Sequence, residues 1–126
     1  MTDTHTEVDN LHIISSELLP TPTELNQAMP LQGKAMQTVL EGHRAVKGIL
    51  DGEDHRLIVV VGPCSIHDPA LAMDYARKLQ PLAEELGDSL KIVMRVYFEK
   101  PRTTVGWDGL IYDPYLDGSH RIADGL

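Results

Sequence analysis

Hydrophobic positions recur at helical spacing along residues 33–50. They return every three or four positions, as on one face of an amphipathic helix. The residues concerned are Met36, Val39, Leu40, Val46, Ile49 and Leu50. Asp51 and Gly52 follow, and glycine readily takes the left-handed conformation that ends helices. The pattern therefore predicts a helix from about Gly33 to Leu50.

Two apolar runs have the length and composition of strands. Leu57 to Val61 reads LIVVV and is apolar on both faces, which is typical of a buried parallel strand. Leu90 to Tyr97 reads LKIVMRVY and predicts a second strand. Between them, Asp68 and Pro69 are typical of a helix start. An apolar stripe at helical spacing follows this start, formed by Leu71, Tyr75, Leu79, Leu82 and Leu86. Strand, helix and strand in this order predict a βαβ unit and a parallel sheet.

Pro81 interrupts that apolar stripe. A proline inside a helix removes a backbone hydrogen bond and costs roughly 3 kcal/mol. We therefore expect the helix to kink at this position or to end near Gln80.

The remaining segments are less regular. Residues 1–10 are polar and predict a tail, Leu11 to Ile14 could form an extra strand, and a short helical turn is expected after Thr21. Residues 98–118 are rich in Gly, Pro and Asp and predict one long loop, and residues 119–126 resemble a helix start. Two parallel strands cannot complete a sheet that is covered on both faces. We therefore expect the chain to be a truncated part of a longer protein.

Composition and charge exclude several classes of protein. The chain has 126 residues, 42% of them hydrophobic, and a formal net charge of -8. This charge argues against a nucleic acid or an anionic membrane as the main partner, because such surfaces attract clustered Lys and Arg. The N-terminal segment lacks the pattern of a signal peptide, and no apolar run reaches the ~18 residues of a membrane span. The expectation is a cytoplasmic protein.

Candidate chemistry lies after each predicted strand, where α/β proteins bind their ligands. Cys64, the only cysteine, lies three residues beyond the first strand, and His67 follows it. A thiolate at this place could bind a divalent metal, although a lone cysteine is more often a small buried hydrophobe. His67 is better interpreted as a loop residue that forms hydrogen bonds.

The second strand end carries a cluster of positive charge. Arg95 lies among apolar residues and therefore needs a structural carboxylate or an anionic ligand as its partner. Lys100 and Arg102 follow it, and the hydroxyl groups of Thr103 and Thr104 come next. Guanidinium groups bind phosphate or carboxylate through paired hydrogen bonds, and lysine adds a point charge. This composition suits a small phosphorylated or carboxylated molecule, and a structural network of ion pairs is the alternative.

The motifs GPCSIHDP and MRVYFEKPRTTVGW carry a close resemblance to a known family. They resemble the paired signatures of class I 3-deoxy-7-phosphoheptulonate (DAHP) synthases of the aromatic-sensitive type, and the resemblance runs from about Leu11 to the last residue. It implies the N-terminal part of a (β/α)8 TIM barrel, an α/β fold, with an N-terminal extension. Residues 1–56 would form the extension and residues 57–126 the first βα units of the incomplete barrel.

The resemblance also implies a reaction and its ligands. The family condenses phosphoenolpyruvate with erythrose 4-phosphate and requires a divalent metal ion of the Mn, Fe, Co or Zn type. By motif position, Cys64 corresponds to a metal ligand, and Arg95 and Lys100 to residues that hold phosphoenolpyruvate. The erythrose 4-phosphate contact corresponds to Pro101, Arg102 and Thr103. The resemblance further implies homo-oligomers of the full-length protein and an aromatic amino-acid effector. The extension is more similar to tyrosine-sensitive members.

Some positions depart from the family pattern. Asp108 stands where the family usually has Lys, and Tyr112 where it often has Asn. The family's other metal ligands belong to later strands, so we expect this chain alone to be inactive. One alternative is a non-catalytic fragment that associates with full-length subunits. The related 3-deoxy-octulosonate 8-phosphate synthases are another, but the long extension and KPRTT favour the first family.

Overall fold

The computed structural model describes Ile13, residues 16–100 and residues 105–126. In chain order the elements are α1 (Pro22–Ala28), α2 (Gly33–Leu50), β1 (Leu57–Val61), α3 (Pro69–Glu85), β2 (Leu90–Met94) and α4 (Ile122–Gly125). The predicted strand at Leu11 to Ile14 lies outside the described residues except for Ile13, which is not in a strand.

The two strands form a parallel sheet, as the βαβ pattern predicts. Leu57 pairs with Leu90, and the register continues to Val61 and Met94. Helix α2 contacts β1, and α3 contacts β2. The predicted end of the second strand is wrong: β2 stops at Met94 rather than Tyr97. Strand β1 ends at Val61, opposite Met94, and its backbone leaves the sheet at Gly62. The later residues of LKIVMRVY therefore have no strand to pair with.

The predicted starts of α1 and α3 are confirmed. Thr21 caps α1 in a capping box, in which its hydroxyl accepts from the Glu24 amide and the Glu24 carboxylate accepts from the Thr21 amide. The Asp68 carboxylate caps α3 by accepting from the amides of Ala70 and Leu71. Each cap satisfies amides that have no partner inside the helix.

The predicted early end of α3 near Gln80 is wrong, because the helix continues through Pro81 to Glu85. The kink at Pro81 stays a prediction. Pro81 has no amide to donate to the Arg77 carbonyl one turn earlier. Both residues are exposed, so water can bond to that carbonyl. The remaining turns, together with the contact of α3 with β2, maintain the helix across the missing bond.

Arg56 forms an ion pair within the loop before β1 and a hydrogen bond to the loop before β2. The Arg56 guanidinium donates to both carboxylate oxygens of Asp54, at 2.6 and 3.0 Å, and also to the Gly87 carbonyl oxygen at 3.2 Å. Asp54 precedes β1, whereas Gly87 precedes β2. This arginine therefore fixes the N-terminal ends of the strands relative to each other.

The predicted long loop has internal order. A bridge pairs Glu99 with Gly109, and Gly109 has a φ of 119°. A Cβ at Gly109 would lie 2.5 Å from the Phe98 carbonyl oxygen, so the close approach of the two segments requires glycine there. Farther along, the buried Asp113 accepts from the Gly118 amide, and its own carbonyl accepts from the Trp107 indole. The predicted C-terminal helix is confirmed only as the four-residue α4.

Few of the described side chains are buried. Ile66 is the buried hydrophobic residue among them, with 4% of its surface exposed. Leu57 and Val60 of β1 are 68% and 63% exposed. The described residues therefore form a small α/β unit whose strands are only partly covered. Within this part of the chain, no helix has the length and apolar character needed to cross a bilayer.

Candidate active site

The loops that follow β1 and β2 lie side by side. The Arg95 amide donates to the Val61 carbonyl at 2.8 Å, which continues the sheet hydrogen bonds by one step. A Cβ on Gly62 would lie 2.5 Å from the Arg95 carbonyl oxygen, so the two backbones approach too closely there for a larger residue. The Ile66 amide then donates to the Tyr97 carbonyl at 2.8 Å. These contacts bring the two sequence motifs together at the carboxyl ends of the strands.

Cys64 and Lys100 meet across the two loops. The Lys100 ammonium donates to the Cys64 sulfur at 2.9 Å, and the Cys64 side chain is exposed. This hydrogen bond and the positive charge of Lys100 lower the pKa of the Cys64 thiol, and Arg95 adds to the effect. A thiolate is the form of cysteine that binds metals and reacts as a nucleophile. The sulfur is therefore prepared for ligation and open to solvent.

Arg95 is held by the loop that carries Cys64. Its Nη1 donates to the carbonyl oxygens of Pro63, at 3.0 Å, and Cys64, at 2.6 Å. The guanidinium carbon also lies 4.9 Å from the centre of the Tyr97 ring, a cation–π contact. Of the two partners predicted for Arg95, a structural carboxylate is absent from the ion pairs of the described residues, and an anionic ligand stays a prediction. Arg95 is only half-buried, so carbonyl oxygens and water can solvate its charge.

The other predicted site residues have different outcomes. Pro101, Arg102 and Thr103, together with Thr104, lie outside the described residues. His67 is described and exposed. Asp108, the departure from the family pattern, lies next to the site, because its carbonyl accepts from the Lys100 amide at 2.9 Å. Tyr112 is exposed on the following loop.

Sequence reasoning missed the contribution of Ser65. Its hydroxyl donates to the Glu99 carbonyl at 3.0 Å and is 3.5 Å from the Tyr97 carbonyl. A serine in a loop has no spacing signal that would reveal these partners, which are more than thirty residues away in sequence. The one sequence feature that could have indicated a role for Ser65 is its position directly after Cys64.

The chain matches a known family. The family model described as the DAHP synthetase I family matches residues 24–126. The chain is 50% identical over 119 residues to the Tyr-sensitive phospho-2-dehydro-3-deoxyheptonate aldolase of Escherichia coli K12, covering 94% of this chain and 33% of that protein. It is 58% identical over 110 residues to the Phe-sensitive aldolase of the same strain, covering 87% and 31%.

The chain belongs to the DAHP synthetase I family. A solved structure of the aldolase from Francisella tularensis SCHU S4 matches it with a TM-score of 0.84 at 46% identity, covering 90% of this chain and 33% of that one. This DAHP synthetase I chain thus spans about a third of the length of these relatives. Relatives of both sensitivity types match it well, so the tyrosine-sensitive assignment stays a prediction.

A metal site in this family member could draw a ligand from the residues described. Cys64 has the required chemistry, because its lowered thiol pKa favours the thiolate and its side chain is exposed. No group of three or more His, Cys, Asp or Glu side chains suited to a metal occurs within residues 16–100 and 105–126. Three or four ligands complete a typical site. Cys64 therefore fits as one member of a larger set.

Proposed function

We propose that this chain provides the β1 and β2 part of a DAHP synthase active site. The reaction joins carbon 3 of phosphoenolpyruvate to the aldehyde carbon of erythrose 4-phosphate, adds water at carbon 2 and releases phosphate. The 2.9 Å contact between Lys100 and Cys64 supports the proposal most directly. It places a candidate metal ligand next to a cation suited to an anionic substrate.

Arg95 and Lys100 would bind phosphoenolpyruvate. Both are positive and half-buried, and both contact Cys64, Lys100 at the sulfur and Arg95 at the carbonyl oxygen. The two carbonyl oxygens that bind Arg95 Nη1 restrict the rotation of the guanidinium, which leaves its other N–H groups available for a carboxylate or phosphate. Holding the substrate in one orientation lowers the entropy cost of the condensation.

Cys64 would contribute its thiolate to the divalent metal ion. When bound, this ion supplies Lewis-acid polarisation of the sugar aldehyde. Lys100 would favour the thiolate, because its hydrogen bond to the sulfur and its positive charge lower the pKa of the Cys64 thiol. Pro101, Arg102 and Thr103 would hold erythrose 4-phosphate, on the strength of their motif positions alone. An aromatic amino acid would be the feedback effector, with tyrosine favoured by the extension, and the full-length protein would be a homo-oligomer.

A joined protein tests this proposal. The chain replaces the matching segment of the E. coli Tyr-sensitive relative, which is 50% identical to it. We expect the joined protein to form DAHP from the two substrates and to lose this activity on treatment with a chelator. Cys64→Ser should weaken its metal binding, and Lys100→Met should raise the KM for phosphoenolpyruvate on the order of tenfold or more.

The matched control is Lys34→Met, which removes a lysine from the exposed start of α2. It should leave the metal affinity and the KM for phosphoenolpyruvate unchanged. A folded joined protein without DAHP synthesis would contradict the proposal. In that case, co-elution of the 126-residue chain with the full-length relative would support the non-catalytic alternative.

A further inference from the structure

Ser65 lies between the two groups that the proposed function requires. It directly follows Cys64, and its hydroxyl donates at 3.0 Å to the carbonyl of Glu99, which directly precedes Lys100. One hydrogen bond therefore joins the immediate neighbours of the two site residues. It closes a ring through the 2.9 Å contact between Lys100 and Cys64.

The other side of the Lys100 segment is also fixed. The Lys100 amide donates to Asp108 at 2.9 Å, and the Phe98 carbonyl accepts from Leu110 at 2.7 Å. The backbone around Glu99 thus lies between the residue 108–110 segment on one side and Ser65 on the other. Ser65 is half-buried, and its hydroxyl lies within reach of two carbonyl oxygens of this segment, those of Glu99 at 3.0 Å and Tyr97 at 3.5 Å.

Alternative links across the two loops do not replace Ser65. Arg95 is bonded to the Pro63 and Cys64 carbonyls, and the Ile66 amide to the Tyr97 carbonyl. On the second loop these hydrogen bonds involve Arg95 and Tyr97, which precede Glu99 by four and two residues, so neither bond reaches the peptide next to Lys100. Within the described residues, the Ser65 hydroxyl is the group that ties the first loop to the peptide adjoining Lys100.

We propose that Ser65 is a positioning residue that sets the separation of the Cys64 sulfur and the Lys100 ammonium. This inference rests on the proposed function for its catalytic consequence. Its geometric content, that the Ser65 hydroxyl orders the segment around Lys100, is independent of that function. Without the hydroxyl, each group can still bind its own ligand, but the two bound ligands lose their mutual alignment. A misplacement of about 1 Å can reduce an oriented reaction by up to ~100-fold.

The test uses Ser65→Ala and Ser65→Thr in the joined protein, with Ser89→Ala as the matched control. Ser89 is an exposed serine in the turn before β2, at the opposite ends of the strands from the site. We expect Ser65→Ala to lower kcat about tenfold or more, with the KM for phosphoenolpyruvate changing less than about threefold. Ser65→Thr, which keeps a hydroxyl, should restore most of kcat, and Ser89→Ala should match the parent protein.

Amide hydrogen exchange supplies a second readout that needs no catalysis. Ser65→Ala should accelerate exchange at Ile66 and Lys100 several-fold while the paired amides of β1 and β2 keep their rates. Uniform acceleration throughout the protein would reveal a general structural role and overturn the inference. Unchanged exchange and kcat would also overturn it, as would Ser65→Thr behaving like Ser65→Ala. If the joined protein is folded but inactive, and Ser65→Ala still accelerates exchange at Ile66 and Lys100, the proposed function is refuted. The role of Ser65 in ordering the segment around Lys100 would then be supported.

Discussion

Lys100 controls the ionisation of the thiol beside it. Its ammonium donates to Cys64 at 2.9 Å and lowers the pKa of that thiol. Lys100→Met removes the hydrogen bond and the charge, so the thiol pKa should rise and the thiolate fraction near pH 7 should fall. In the joined protein, mass spectrometry of the peptide that contains Cys64, the one cysteine of this chain, measures alkylation at this site alone. We expect iodoacetamide to modify the variant several-fold more slowly at pH 7.

The difference in alkylation rate should shrink as the pH approaches and passes the ordinary thiol pKa, where both proteins become thiolate. Lys34→Met, at the exposed start of α2, should react at the parent rate. Equal rates for Lys100→Met and the parent across this pH range would show that Lys100 does not govern the thiol.

The Asp54–Arg56 pair predicts a dependence of stability on acid pH. Hydrogen bonds from Arg56 lower the pKa of Asp54 from 3.8 to about 2. Because the pKa is lower in the folded state, the pair stabilises the fold fully above about pH 4, and this contribution is lost as the pH falls through about 2. Asp54→Asn should therefore lower the melting temperature at pH 7 and reduce the loss of stability between pH 4 and pH 2.

Circular dichroism melts of the joined protein at several pH values measure this effect. Asp74→Asn is the matched control, because Asp74 pairs with Lys78 on the exposed surface of α3, where ion pairs contribute little. A melting curve for Asp54→Asn that follows the parent at every pH would contradict the prediction.

At the scale of secondary structure, α3 contains a residue that opposes its own helix. Pro81 lies within Pro69–Glu85 and is exposed, so its replacement removes little packing. Pro81→Ala restores an amide that can donate to the Arg77 carbonyl. We expect stabilisation of about 1–3 kcal/mol, since interior proline is disfavoured by roughly 3 kcal/mol and neighbouring turns already accommodate it.

Urea unfolding of the joined protein measures the change, with Pro69→Ala as the control. Pro69 occupies the first turn, where proline is favourable because its missing amide would have no helical partner. Its replacement should be neutral or slightly destabilising. Destabilisation by Pro81→Ala would instead show that the proline ring makes a contact on which α3 depends.

Local patterns predicted the elements whose cause is local. The Thr21 and Asp68 caps, the 33–50 helix and the LIVVV strand follow from periodicity and capping chemistry. The end of β2 and the continuity of α3 could not be predicted in this way. The end of β2 depends on where strand β1 leaves the sheet. The continuity of α3 depends on solvent access at Arg77 and on the contact of α3 with β2.

The candidate site was predictable as a list of residues but not as a geometry. Motif resemblance selected Cys64, Arg95 and Lys100, and all three lie together in the structure. Their contacts span more than thirty residues of sequence, so no spacing rule could reveal the Lys100–Cys64 bond or the Ser65–Glu99 bond. The carbonyl partners of Arg95 were missed because a buried-strand environment was assumed for a residue that lies beyond β2.

At the scale of the whole molecule, few of the described side chains are buried, so we expect the described residues to be only weakly stable by themselves. The strand residues Leu57 and Val60 are largely exposed, and Val105 is 83% exposed. An open apolar groove of about 500 Å³ lies between α2 and Val93 of β2. Exposed patches of this kind are typical of surfaces that other protein segments cover. The matched relatives are about three times longer and have residues available to cover them.

This exposure predicts different behaviour for the 126-residue chain and the joined protein. The chain alone should bind the dye ANS strongly, self-associate in size-exclusion chromatography and unfold over a broad urea range, because its apolar strand faces and edges are open. The joined protein should bind little ANS and unfold in a sharper transition. Val60→Thr, which makes an exposed position of β1 more polar, should reduce self-association of the chain. A monomeric chain that binds no ANS and unfolds cooperatively would show that the described contacts suffice for an independent fold.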